Sequence, residues 1–242
     1  MRNLIKAEFF KLRKLTAYKV LLIIYLMIEI VINKNYIGNS VAYPQYNPTY
    51  TGIDWLLTQP RTMLFYMLAV FFFTNIYVNG DFVSHTFYSG LLCGLPRKKA
   101  FWAKIISLFA GIVPLMLVYA LTGTVLWSVH AGFGMDFGVD AAFLIAKAFG
   151  ERFLLTLQLV GDAVLFAVIV RSRIGAFLLS LGTLNVIGIF RANIENIIKI
   201  PALSKILLFL LSLLTLNLGT FLAGILLRLL AAGYIFEKYD LK

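Results

Sequence analysis

GDFVSHTFYSGLLCGLPRKKAFWAKII, residues 80–106, lies between two long apolar runs. Its apolar members Phe82, Val83, Phe87, Tyr88, Leu91, Leu92 and Leu95 step by three and four, and Asp81, Ser84, His85, Ser89 and Cys93 fill the opposite face. That period describes an amphipathic helix lying along a membrane surface, not one crossing it. Asp81 stands where a carboxylate caps a helix N-terminus. Gly94 and Pro96 end the helix. Arg97, Lys98 and Lys99 then anchor the next apolar run among lipid headgroups. The stretch is predicted to be a surface helix over 81–96 joining two membrane spans.

Outward from it, apolar runs of about 20 residues mark further spans. Span one is expected over 15–32, span two over 62–78 and span three over 101–125, bent at Pro114. Spans four, five and six are expected over 148–170, 174–190 and 214–236. Residues 1–19 combine seven charges with Leu4, Ile5, Phe9 and Leu12 at helical spacing. They form an amphipathic helix facing headgroups. Residues 33–60 and 128–141 carry Pro, Gly, Asn and Tyr and are predicted as exposed loops. The apolar stretch after 191–202 is too long for one span and too short for two. A short helix or re-entrant pair within 191–213 accounts for the surplus, sheltered against protein or a water-filled cavity.

The fold class expected is therefore an all-α polytopic membrane protein with six transmembrane helices in one domain over 1–242. The chain is 61% hydrophobic and 14% charged, against about a quarter charged in a soluble domain. Its net charge of +11 sits at the ends of apolar runs, which points to membrane lipid and excludes nucleic acid as the partner. With the N-terminus inside, fourteen Lys and Arg fall in inner segments and seven in outer ones, so both termini are expected in the cytosol. The single Cys93 excludes an intrachain disulfide.

The sequence holds no chemistry of an enzyme. It has no Gly-Lys-Ser/Thr phosphate loop and no His-Glu-x-x-His, and His85 and His130 fall on opposite sides of the membrane. Three ionisable residues fall within spans: Glu29, Asp162 and Arg228. Glu29 is expected roughly 21 Å above Leu15, near the outer surface, as an interfacial carboxylate or a charge lining a transport route. Asp162 and Arg228 each lie about 12 Å from the cytosolic end of their span, so they can pair. Snorkelling of Arg228 to the inner surface is the competing arrangement.

Residues 80–106 also resemble the cytosolic coupling segment of ABC-2-type ABC-transporter permeases. Asp81, Thr86, Leu91, Gly94, Arg97, Lys98, Lys99 and Lys104 fall in step with that segment; His85 and Pro96 replace its usual Gly and Ser. LIKAEFFKLRK, residues 4–14, resembles the family's N-terminal elbow helix with Glu8 in the acidic place, and FEKYDL, residues 236–241, its ending after span six. The resemblance implies coupling to an ATPase through Glu8, Asp81, Thr86, Phe87, Leu91, Leu92, Gly94, Arg97 and Lys98. It implies two cytosolic ABC ATPase subunits as partners, with ATP and Mg bound there, and no cofactor on this chain. It implies a second permease copy or a similar permease. Re-entrant helices between spans five and six, a multi-pass place in a bacterial plasma membrane, and export of amphipathic or antimicrobial peptides or other hydrophobic compounds follow from it too. The alternative class is a secondary transporter or channel that needs no ATPase, which would show inverted repeats, broken spans at matching positions or mid-span ion ligands; the sequence shows no convincing repeat.

Overall fold

The computed structural model describes residues 2–42, 50–58, 63–83, 94, 96–136, 138–170, 172–182 and 218–238. Among the described residues the chain is helical, with no strand. The helices are α1 (Arg2–Lys14), α2 (Thr16–Ala42), α3 (Gly52–Thr58), α4 (Met63–Val83), α5 (Arg97–Ala131), α6 (Val139–Val170), α7 (Arg173–Gly182) and α8 (Leu218–Lys238). Of these, α2, α5 and α6 are long and apolar enough to cross a membrane. They have 27, 35 and 32 residues. At about 1.5 Å per residue each is longer than a hydrocarbon core of roughly 30 Å.

Several expected boundaries move. The amphipathic N-terminal helix ends at Lys14, not at residue 19. The chain turns at Leu15, whose carbonyl accepts from Tyr18 N at 3.2 Å. Tyr18 then belongs to α2, where its hydroxyl donates to Gly111 O at 2.6 Å and its ring lies 4.7 Å from Phe73. Residues 33–60 are not one loop. No proline falls between Asn33 and Ala42, and α2 continues through Gly38 to Ala42, with Asn33 and Ser40 buried in it. Beyond it, α3 buries Ile53, Trp55 and Leu56. Its start is a reciprocal cap: Thr51 Oγ1 accepts from Asp54 N at 3.3 Å, and Asp54 Oδ2 accepts from Thr51 N at 3.2 Å. α5 begins at Arg97 and runs through Pro114 to Ala131, and α6 starts at Val139 rather than near 148.

The surface helix expected over 81–96 is also corrected at its start. Asp81 lies in the last turn of α4 and does not cap a separate helix. The apolar run before it simply stays helical through Asn79 and Gly80. Thr86, Phe87, Leu91 and Leu92 lie outside the described residues, as does the re-entrant segment 191–213. Gly94 has φ 83°, a left-handed conformation that suits glycine, and Pro96 O accepts from Ala100 N at 3.1 Å to open α5.

Two compact bodies form. The first takes Arg2–Phe73 and Ile105–Thr156. At one end of it Ile53, Leu56, Ala120 and Ala148 pack together, with Phe133, Leu144 and Phe149 around them. Trp55 stacks on Trp127 at 5.6 Å, and Tyr50 meets both rings edge-on. Gly123 lets α5 approach that closely, since a Cβ there would collide with the Trp55 indole. Backbone bonds from Gly52 N to Gly132 O and Ile53 N to Phe133 O tie α3 to the turn after α5. Gly134 holds that turn at φ 86°, against Thr51.

The second body takes Thr74–Lys104 and Leu157–Lys242. Small residues Ala163, Val164 and Ala167 of α6 are fully buried in the chain. Phe101 of α5 packs on Phe236 of α8 at 5.3 Å and leaves Gly233 no room for a larger side chain without a shift.

Candidate functional site

Buried charge marks the places where these helices do more than fill space. In the second body, α4 carries Asn75 and Asn79 one turn apart, both buried. Asn79 Nδ2 donates to Asn75 Oδ1 at 3.2 Å and to Ser172 O at 3.4 Å. Asp81 follows two residues later in α4 and is buried. Lys104, in the second turn of α5, compensates: its Nζ donates to Asp81 Oδ2 in an ion pair whose side chains are 5% and 6% exposed. The same ammonium lies 4.5 Å over the Tyr77 ring. The pair spans the connector, 23 residues apart in sequence, and fixes both of its ends.

Asp162 of α6 and Arg228 of α8 meet in the same body. Arg228 Nε donates to Asp162 Oδ1 at 2.8 Å, with side chains 23% and 19% exposed. The guanidinium is therefore engaged at the depth of Asp162. Near the start of α5, a cavity of about 330 Å³ is lined by Lys98, Phe101, Trp102, Leu230, Gly233 and Tyr234. Lys98 is exposed there, and Arg97 is half-buried. Glu8 is half-buried on α1.

The first body treats its carboxyl differently. Because α2 runs on to Ala42, Glu29 falls near the middle of the helix, and it is fully buried in the protein. Tyr25 Oη donates to Glu29 Oε1 at 2.7 Å. Asn33 Nδ2 donates to Glu29 O at 2.8 Å and to Oε2 at 3.3 Å. Beyond Tyr25, at a ring distance of 6.4 Å, stands Tyr66 of α4. Tyr66 stacks on Tyr119 of α5 at 4.6 Å and shares a hydrogen bond with the Thr156 hydroxyl of α6. The Arg152 guanidinium lies 5.5 Å from the Tyr119 ring. Tyr66, Tyr119, Arg152 and Leu155 line an open cleft of about 140 Å³, with Glu151 and Thr58 at its wall.

Tyr25, Asn33, Tyr66, Tyr119, Arg152 and Thr156 are absent from the expected site. One signal for them is legible: Tyr25, Glu29 and Asn33 repeat every fourth residue, a polar stripe down one face of an otherwise apolar helix. The others come from three different helices and leave no pattern along the chain.

Long apolar helices that carry buried, partnered charges fit a transmembrane protein. No protein-family model, curated protein or solved structure matches the chain.

Proposed function

We propose that the chain is the membrane subunit of an ATP-driven exporter of the ABC-2 type, with six spans and both termini in the cytosol. The observation that carries the reading is the buried Asp81–Lys104 pair. These are the acidic residue and the early span lysine of the segment that resembles the family's coupling segment. A pair that clamps α4 to α5 on either side of the connector passes a push on that connector to both helices. Two cytosolic ATPases would dock below, on the 84–96 stretch and on α1, and a second permease copy would complete the route. Export would follow because the ATPases present different contacts to the connector in their two states. The cargo is an amphipathic or antimicrobial peptide or another hydrophobic compound.

The test is co-purification and transport from the native host. An ATPase should accompany the tagged chain, leave it when Thr86 or Leu91 is changed, and export should stop on ATP depletion. A chain that brings down no ATPase and still exports without ATP overturns the reading.

One observation favours a transporter that needs no ATPase: the fully buried Glu29, mid-helix and without a cation among the described residues. A mid-span carboxyl is where an ion-coupled transporter binds its coupling ion.

A further inference from the structure

We infer that Glu29 is a proton-binding site, its carboxyl held as the neutral acid and exchanging its proton with the Arg152 cleft past Tyr25 and Tyr66. The inference stands under either reading of how transport is driven. Its ground is the shell around the carboxyl. Glu29 is fully buried, and both of its side-chain oxygens meet neutral donors, the Tyr25 hydroxyl and the Asn33 amide. Among the described residues no Lys, Arg or His forms an ion pair with it, whereas Asp81 and Asp162 each have one. A carboxylate left so far from water and from any counter-charge is strongly disfavoured, and a buried carboxyl in that position carries a proton.

The shell suits a site that gains and loses a proton. With the carboxylate, Oε1 accepts from Tyr25 Oη and Oε2 from Asn33 Nδ2, at 2.7 and 3.3 Å. With the acid, the proton on Oε1 reverses the first bond: Oε1–H donates to Tyr25 Oη, whose own hydrogen rotates away, and Oε2 still accepts from Asn33. One proton arrives or leaves, the site's charge changes by one, and no heavy-atom bond changes. The second Asn33 bond, to Glu29 O at 2.8 Å, fixes the amide's orientation. Among the described residues it leaves Asn33 Oδ1, next to the carboxyl, as a buried acceptor with no partner.

Among the described residues the groups facing the site can be named element by element. On α2 they are Tyr25 and Asn33; on α4, Tyr66; on α5, Tyr119; on α6, Thr156, with Arg152 beyond Tyr119 and Glu151 at the cleft wall. Tyr66 and Tyr119 themselves line the cleft, and Tyr25, bonded to the carboxyl, lies 6.4 Å ring to ring from Tyr66.

The experiment treats the full-length protein in detergent with dicyclohexylcarbodiimide, which couples to carboxylic acids in apolar surroundings, and reads the adducts by peptide mass spectrometry. Expected is an adduct on Glu29, with Asp81 and Asp162 unlabelled, that declines as the pH rises from about 5 to about 9. Sodium or potassium should leave it unchanged. No adduct on Glu29 at any pH overturns the proposal, and so does protection by either metal ion, which would put a metal cation in the site. This readout needs no variant to fold. In Tyr25→Phe the pH of half-labelling should move; an unmoved value would detach Tyr25 from the site and overturn the route.

Discussion

In the body built from 74–104 and 157–242, Asp81 and Asp162 each face a cation, Lys104 and Arg228. In the body built from 2–73 and 105–156, Glu29 faces a phenol and an amide, and Trp55 stacks on Trp127 and Tyr66 on Tyr119. An ion pair out of water holds two helices at one register, because separating the charges leaves both unsolvated. A neutral shell holds its carboxyl just as firmly in place but lets its charge change. The first arrangement suits the transmission of force and the second the exchange of a proton. The lesson is that the partner of a buried charge tells more about its role than its depth does.

The largest effect should come from breaking the most buried pair. Lys104→Ala leaves Asp81 uncompensated and should cost about 3–5 kcal/mol, read as a fall in the unfolding midpoint in detergent. Adding Asp81→Leu should recover most of it, and failure to recover would mean that the cost is not the stranded charge. Gly123→Ala should follow: with Trp55 against α5, the added methyl overpacks the ring stack by about 1–3 kcal/mol. No loss there would deny the first body its dependence on ring packing. Single removal of Asp162 or Arg228, both partly exposed, should cost about 1–2 kcal/mol, less than at the deeper pair. Exchanging the two residues should restore the loss, and an unrecovered swap would argue against direct pairing. The smallest effect is expected at Glu29→Gln. An amide is nearly isosteric with the neutral acid, so stability should change by less than about 1 kcal/mol. A loss as large as that of Lys104→Ala would erase the contrast between the two bodies.

Much of the helical scaffold is legible along the chain. Apolar length marks α2, α5 and α6, and the charged heptad-like spacing of residues 2–14 marks α1, because both signals are local. Their ends are less legible. α2 outruns its apolar run: Asn35 and Asn39 are exposed, and the buried Asn33 and Ser40 each bond a carbonyl about one turn back, Glu29 O and Ile37 O, at 2.8 Å. α3 escapes notice because seven residues carry too little periodicity, although its Thr51–Asp54 cap is written in the sequence.

The sites divide in the same way. Equal depth pointed to Asp162 and Arg228, because depth along a helix follows from counting at a fixed rise. Asp81 was legible as a charge at a helix end but at the wrong end of the wrong helix, since only the position of Lys104 reveals what it does. Glu29 was legible as a costly residue but not as a buried one.

The residue order alone determined that this chain is helical, apolar over membrane-spanning lengths, and charged at the ends of those lengths. Each of these follows from a period or a run that neighbouring residues set by themselves. Tertiary structure alone decided which buried carboxyls receive a cation, as Asp81 and Asp162 do from other helices while Glu29 keeps to Tyr25 and Asn33 of its own. That choice depends on which helix lies alongside, and the free energy of a buried charge is set by the few atoms it touches.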